Sequence, residues 1–166
     1  MSARASQRRL VPVLGLLLAA CDGGTAVAPS TAPPSAAVTV RAAGFDPGPV
    51  KSAAEYLLEP EYAGADFAHG ELLGLACAAC HRFGAGEGTL IGPNLHGVFG
   101  RAAATVEGFD YSPALRQSGL VWTPLALSAW LADPAGFVAG TTMPFTGYKA
   151  EQDRRDLIAY LLRATE

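Results

Sequence analysis

The motif Cys77-Ala-Ala-Cys80-His81 constrains this 166-residue chain more than any other feature of its sequence. It places two thiols three positions apart and an imidazole directly after the second thiol. Three chemistries use such a spacing: covalent attachment of a porphyrin with the histidine on its iron, a redox-active dithiol, or half of a zinc site. Each of them needs a different fold, so the rest of the chain has to decide between them.

The rest of the chain favours the porphyrin. A redox dithiol of the thioredoxin type belongs to a pattern of strands in a parallel sheet, and strand signals are nearly absent here. A zinc site needs four ligands, but the one remaining cysteine, Cys21, lies in an N-terminal export signal. We therefore expect one haem c, bound covalently through Cys77 and Cys80, with His81 as an iron ligand.

The other side of the iron needs a second ligand or an open position. Met143 is the only methionine after Met1, and it lies in the loop Gly140-Thr-Thr-Met143-Pro144. A polar loop that ends in proline is a poor place for a core residue, so we expect Met143 to be the second ligand. His69 and His96 are the alternatives. Histidine–methionine ligation fills both axial positions, which predicts an electron carrier and not an enzyme.

The N-terminal region predicts export and attachment to a membrane. Residues 1–20 combine three arginines with an apolar run at 10–20, which is typical of a secretory signal peptide. The sequence Leu18-Ala-Ala-Cys21 resembles the lipobox of bacterial lipoproteins, which implies that Cys21 is lipidated. Ordinary cleavage with Cys21 as a free thiol is the alternative. With acyl chains as the anchor, the expected location is the periplasmic, outer face of the cytoplasmic membrane.

Composition divides the remaining chain in two. Residues 21–63 are rich in alanine and proline and have no hydrophobic period, which predicts a tether. A short helix near 50–58 is compatible with this sequence but is not decided by it. Residues 64–166 predict one domain. Its helices are expected at 66–76, from 112 to before Gly119, from 123 to 133 and at 150–164, with loop at 82–109. No basic cluster indicates nucleic acid as a ligand.

Six segments, in order along residues 64–166, resemble class I cytochromes c of the mitochondrial and alphaproteobacterial type. The segments are CAACH at 77–81, GPNLHGVFGR at 92–101, GFDYS at 108–112, WTPLALSAWLADP at 122–134, GTTMPF at 140–145 and the last-helix segment that begins DLIAY at Asp156. The resemblance implies an all-α fold, with three main helices and several short ones wrapped around one haem. It also implies a monomeric one-electron carrier.

By position, the resemblance assigns further residues to the haem. The Pro93 carbonyl would accept a hydrogen bond from His81, and Phe145 would lie beside the exposed haem edge. The haem propionates would be held by Arg101, Tyr111, Trp122 and Thr141. The implied donor is a quinol–cytochrome c oxidoreductase, and the implied acceptor is a terminal oxidase or a photosynthetic reaction centre. Alternatives are a subunit of a dehydrogenase or oxidase complex and a haem-based sensor.

The chain also departs from the family pattern. Gly70 lies one residue closer to Cys77 than its counterpart, and Leu73 replaces an aromatic residue, so we expect the first helix to pack differently. Trp130 replaces a tyrosine near the methionine sulfur. From residue 64 onward there are seven basic and ten acidic residues, and Lys149 is the only lysine. The ring of lysines that steers soluble mitochondrial cytochrome c to its partners is therefore absent.

Overall fold

Seven helices make up the regular structure of the described chain. The computed structural model describes Ala42 and residues 44–166; the predicted signal peptide 1–20 and Cys21 lie outside the described residues. The helices are α1 (Ala53–Leu57), α2 (Pro60–Ala63), α3 (Phe67–Ala78), α4 (Pro113–Arg116), α5 (Pro124–Ala132), α6 (Pro134–Phe137) and α7 (Glu151–Ala164). In the described residues the only β-type pairing is an isolated antiparallel bridge between Ala102 and Val121. The expected all-α class is confirmed.

Three of the helices begin with the same pair, a capping side chain followed by proline. Ser112, Thr123 and Asp133 each accept a hydrogen bond from a backbone N–H in the first turn of α4, α5 and α6. Proline has no N–H to satisfy and its φ already suits a helix, so it fits the position after the cap. The first two pairs are where the sequence predicts them. The third is a difference, because Pro134 ends α5 and also starts α6.

Two glycines allow α3 and α7 to cross at close range. Gly70 and Gly74 are buried, one turn apart on the same face of α3. A Cβ at Gly70 would collide with the Asp156 carbonyl group, and one at Gly74 would lie 2.6 Å from the Tyr160 ring. The Tyr160 side chain thus covers Gly74, next to Leu73. The close approach of α3 and α7 therefore depends on this glycine pair.

A buried carboxylate ties the start of α3 to α7. The Asp156 side chain is 1% exposed and accepts hydrogen bonds from the Asp66 backbone N–H at 3.1 Å, the Gln152 amide at 2.8 Å and the Arg155 guanidinium at 3.2 Å. His69 Nδ1 lies 3.1 Å from the Asp156 carboxylate. Burial acts to raise the pKa of Asp156, but these hydrogen bonds outweigh it and hold the pKa below its usual value.

The segment before α3 packs against the rest of the described chain. Tyr56 in α1 and Tyr62 in α2 are buried, and both helices contact α7. Further back, the Pro47 carbonyl accepts a 2.6 Å hydrogen bond from the Thr123 hydroxyl. Residues 44–63, the later part of the predicted tether 21–63, thus differ from a free spacer. Their docking depends on contacts with residues far along the chain, which local composition does not reveal.

None of the described helices is both long enough and apolar enough to cross a bilayer.

We predict that the His69–Asp156 pair makes stability depend on pH. The hydrogen bond to Asp156 raises the pKa of His69. Its stabilising effect should therefore be complete below the unfolded-state pKa of about 6.5 and should be lost as pH rises through the higher folded-state pKa. Guanidinium unfolding of the haem-loaded protein should show that His69→Gln is more destabilising at pH 5.5 than at pH 9.

The matched control is the same substitution in an Asp156→Asn background, where the difference between the two pH values should shrink, since only the weaker influence of Asp153 and Asp66 on the His69 pKa remains. An equal effect of His69→Gln at both pH values in the parent background would contradict the assignment.

Candidate functional site

An apolar cavity of about 280 Å³ lies between the C-terminal end of α3, α5, the loop that follows His81 and the loop that carries Met143. All ten residues that the sequence assigned to the haem line it: Cys77, Cys80, His81, Pro93, Arg101, Tyr111, Trp122, Thr141, Met143 and Phe145. These residues span 69 positions of the sequence, and the fold brings them together around one cavity. Cys21, the predicted lipidation site, lies outside the described residues.

The end of α3 presents the two thiols and the imidazole together. Helix α3 ends at Ala78, and the backbone N–H groups of Cys80 and His81 both bond to the Cys77 carbonyl, at 3.0 and 2.9 Å. This tight turn holds the motif against one wall of the cavity. Burial raises the pKa of the Cys77 thiol to about 11, so the thiol is neutral at pH 7.

His81 is held in the form that binds a metal. Its Nδ1 lies 2.7 Å from the Pro93 carbonyl oxygen, which can only accept, so Nδ1 carries the proton and Nε2 keeps a free lone pair. Burial lowers the pKa of His81, which favours the neutral ring. Gly92 leaves space for it: a Cβ there would lie 2.7 Å from Nδ1 and 2.8 Å from Nε2.

The Met143 side of the cavity is aromatic and sparsely hydrogen-bonded. Met143 donates its backbone N–H to the Thr141 hydroxyl at 3.3 Å. Trp130 is 4% exposed and packs edge-on against Trp122, with ring centroids 5.5 Å apart. Phe145 packs on Tyr148, whose hydroxyl donates to the Leu73 carbonyl of α3. The thioether is thereby the one candidate axial ligand on this wall among the described residues.

The polar part of the cavity wall is built around Arg101. Its guanidinium is half-buried and donates to the carbonyls of Asn94 and His96, at 2.9 and 2.8 Å. Burial lowers the Arg101 pKa, but arginine stays cationic. Two of its five N–H donors are used in these bonds, so three remain. A buried cation with spare donors suits a carboxylate, which fits the propionate role implied for Arg101.

The two alternative iron ligands lie elsewhere. Neither His69 nor His96 lines the cavity, and His69 is bonded to Asp156 at the α3–α7 crossing. In the described chain His96 Nδ1 is buried and has no hydrogen-bond partner. Its backbone makes the contacts, through Asn94 Oδ1 and Arg101.

The residues present fit a haem c. Two thiols, a neutral imidazole with its tautomer set and a thioether face one apolar space, and a cation lies at its polar side. The porphyrin of a haem would fill the apolar space and its iron would bind the imidazole and the thioether. Its two carboxylates would lie beside the cation. When bound, haem supplies an iron that accepts and releases one electron.

Fold and donor set together define a small helical c-type haem protein. The family described as Cytochrome c matches residues 67–165, and the chain belongs to this family. It is accordingly a monohaem electron carrier, an electron-transfer protein that exchanges electrons with redox partners.

Similar proteins include a plant cytochrome c and bacterial cytochromes. The chain is 47% identical over 90 residues to a cytochrome c of Stellaria longipes, covering 54% of this chain and 83% of the relative. It is 44% identical over 96 residues to a cytochrome c2 of Blastochloris viridis, covering 58% and 76%. Among solved structures, cytochrome cH from Methylobacterium extorquens superposes with a TM-score of 0.54 at 43% identity, covering 58% of this chain and 97% of that one.

Sequence reasoning missed most of the apolar wall. Leu127 and Leu131 lie one turn apart on α5, and both line the cavity with Phe109 and Leu161. Helical spacing identifies such residues as buried. It does not show whether they face another helix or a cofactor. The sequence therefore indicated that these residues are buried but not that they line the haem cavity.

We predict that Gly92→Ala weakens the haem-loaded protein. The added Cβ would displace the His81 ring, and overpacking of this kind costs about 1–3 kcal/mol. Guanidinium unfolding should show that loss, together with lower haem content per chain in a pyridine haemochrome assay. Gly64→Ala is the matched control, because no heavy atom lies within 4 Å of a Cβ built there. Equal stability and haem content in both variants would contradict the assignment.

Proposed function

We propose that this cytochrome is a lipid-anchored electron carrier on the periplasmic face of the cytoplasmic membrane, with His81 and Met143 as the axial ligands. The observation that carries the ligand assignment is the cavity itself, in which His81 and Met143 lie among the same lining residues as both motif cysteines. His81 is already oriented by Pro93 at 2.7 Å. A six-coordinate iron of this kind has no position for a substrate, which suits a carrier.

The route for the electron is the mouth of the cavity. Ala76, Ile91, Thr142 and Pro144 line the cavity and are exposed, and none of them carries a charge. These residues therefore provide little electrostatic attraction for a charged partner. A lipid anchor on Cys21 offers the alternative, because confinement near a membrane raises the effective concentration of the partner to the millimolar range for short linkers.

The proposed partners are membrane complexes. The donor would be a quinol–cytochrome c oxidoreductase, and the acceptor a terminal oxidase of a respiratory chain or a photosynthetic reaction centre. The relatedness to a cytochrome c2 of Blastochloris viridis supports a carrier of this type. The lack of charge on the exposed lining residues Ala76, Ile91, Thr142 and Pro144 supports delivery by proximity over delivery by charge.

We predict that Met143→Ala opens the iron. Absorption spectra of the haem-loaded protein should lose the weak long-wavelength sulfur–iron band, carbon monoxide should bind the ferrous form, and the reduction potential should fall because the thioether is gone. Thr142→Ala is the matched control, since Thr142 is the exposed neighbour on the same loop. A Met143→Ala spectrum equal to that of the parent would show that another group is the ligand. Binding of carbon monoxide to the parent protein would favour a sensor.

We predict that Cys21→Ser releases the protein from the membrane. The variant should be found in the soluble periplasmic fraction with an unchanged haem spectrum, and quinol-driven electron flow through the membranes should fall by about 10-fold or more, since effective concentration is lost. Lowering the ionic strength should not restore the flow, because the cavity mouth carries no charge to attract a partner. Membrane retention of the variant would contradict the anchor, and recovery at low salt would contradict delivery by proximity.

A further inference from the structure

The chain before α1 lies against the helix that leads into the Met143 loop. The Ala42 backbone N–H donates to the Phe137 carbonyl at 3.2 Å, and the Phe45 ring meets the Phe137 ring edge-on, with centroids 5.2 Å apart and planes at 89°. Phe137 is the last residue of α6 and is buried. We refer to Ala42 and residues 44–50 as the brace.

The loop beyond α6 has little internal support. Between residues 139 and 147 the described structure shows two hydrogen bonds from backbone N–H groups: Thr141 to the Val138 carbonyl at 3.1 Å and Met143 to the Thr141 hydroxyl at 3.3 Å. Both of them lead back toward α6. The far end of the loop is fixed where the Tyr148 backbone N–H donates a hydrogen bond to the Leu131 carbonyl at 2.8 Å. The position of Met143 therefore depends on how firmly α6 is held.

We propose that the brace positions Met143, with Phe45 as its central residue. The contacts form a continuous series: Phe45 holds Phe137, the adjoining Val138 is fully buried and accepts from Thr141, and the Thr141 hydroxyl accepts from Met143. If the Met143 sulfur dissociated from a bound iron, α6 and the loop would move together and the Phe45–Phe137 contact would be lost. The brace would thus raise the free energy of the state in which Met143 is dissociated.

A second contact gives the brace a fixed base. The Pro47 carbonyl accepts from the hydroxyl of Thr123, which is 2% exposed and also caps α5. Helix α5 contributes Leu127, Trp130 and Leu131 to the cavity wall. The brace therefore bridges the start of α5 and the end of α6. Movement of α6 away from α5 would break contacts at both points.

The test compares loop opening with global unfolding. Imidazole binds ferric iron only after the methionine leaves, so its apparent affinity reports the opening equilibrium. Phe45→Ala should bind imidazole roughly 2- to 12-fold more tightly than the parent, as expected for loss of an aromatic pair. The sulfur–iron band should also disappear on heating at a lower temperature than the helical circular dichroism, with a wider gap between the two midpoints than in the parent.

Tyr62→Leu is the matched control. Tyr62 is a buried aromatic residue of the same N-terminal region, but it belongs to α2, which packs on α7. A purely structural loss there should lower both midpoints together and leave the imidazole affinity unchanged. Phe45→Leu, which keeps apolar bulk at the contact, should restore part of the parent affinity and covers the case in which Phe45→Ala folds poorly.

The inference rests on Met143 as the proposed ligand, and the two can fail separately. If the Met143→Ala variant has the same sulfur–iron band and the same imidazole affinity as the parent, the ligand assignment is wrong and the brace proposal is overturned with it. If Met143→Ala abolishes the band while Phe45→Ala shifts both thermal midpoints equally and does not alter imidazole binding, the brace is structural only and the proposal is overturned.

Discussion

The apolar cavity is the constraint on which the rest of the structure depends. Its wall takes residues from α3, α4, α5, α7 and three loops, and among them Tyr111, Leu115, Trp122, Leu127 and Trp130 belong to the buried core. A domain this small has little further apolar surface to bury elsewhere. The haem therefore completes the core as well as carrying the electron, and the hydrophobic contribution to folding is coupled to haem attachment. This coupling explains why so few of the lining residues are polar.

Close helix packing places the attachment motif relative to that cavity. Gly70 and Gly74 bring α3 against α7, and the Asp156 carboxylate fixes the first turn of α3 through the Asp66 N–H. The motif follows at the other end of the same helix, so its position is determined by a rigid element and not by a loop. The His81 ring is then limited from behind by Gly92 and Pro93. Precise ligand geometry thus comes from backbone contacts that side-chain chemistry alone would not supply.

Much of this could be predicted from the sequence, and the reason is that the signals are local. The pairs Ser112–Pro113 and Thr123–Pro124 mark helix starts. The spacing of Cys77, Cys80 and His81 leaves three chemistries, and the scarcity of strand signals and of further cysteines favours haem among them. The pair Asp133–Pro134 carries the same signal for the start of α6, which the helix expected from 123 to 133 leaves out. Local signals could not predict that residues 44–63 pack against the rest of the domain. The bonds of this segment join residues 76 positions apart, as from Thr123 to Pro47, and a proline-rich composition gives no register for them.

The docked segment changes what a lipid anchor on Cys21 would do. If the brace holds Ala42 and the residues that follow, the predicted spacer extends from Asp22 to about residue 41 instead of to residue 63. A flexible chain of about 20 residues has an end-to-end distance of roughly 25 Å. A domain on so short a spacer searches a small volume beside the membrane, where millimolar effective concentrations are expected. That confinement makes the loss of the lysine ring tolerable, because a partner already held nearby needs no long-range attraction. The same short segment would then serve both properties of a carrier, the retention of its methionine ligand and its nearness to membrane partners.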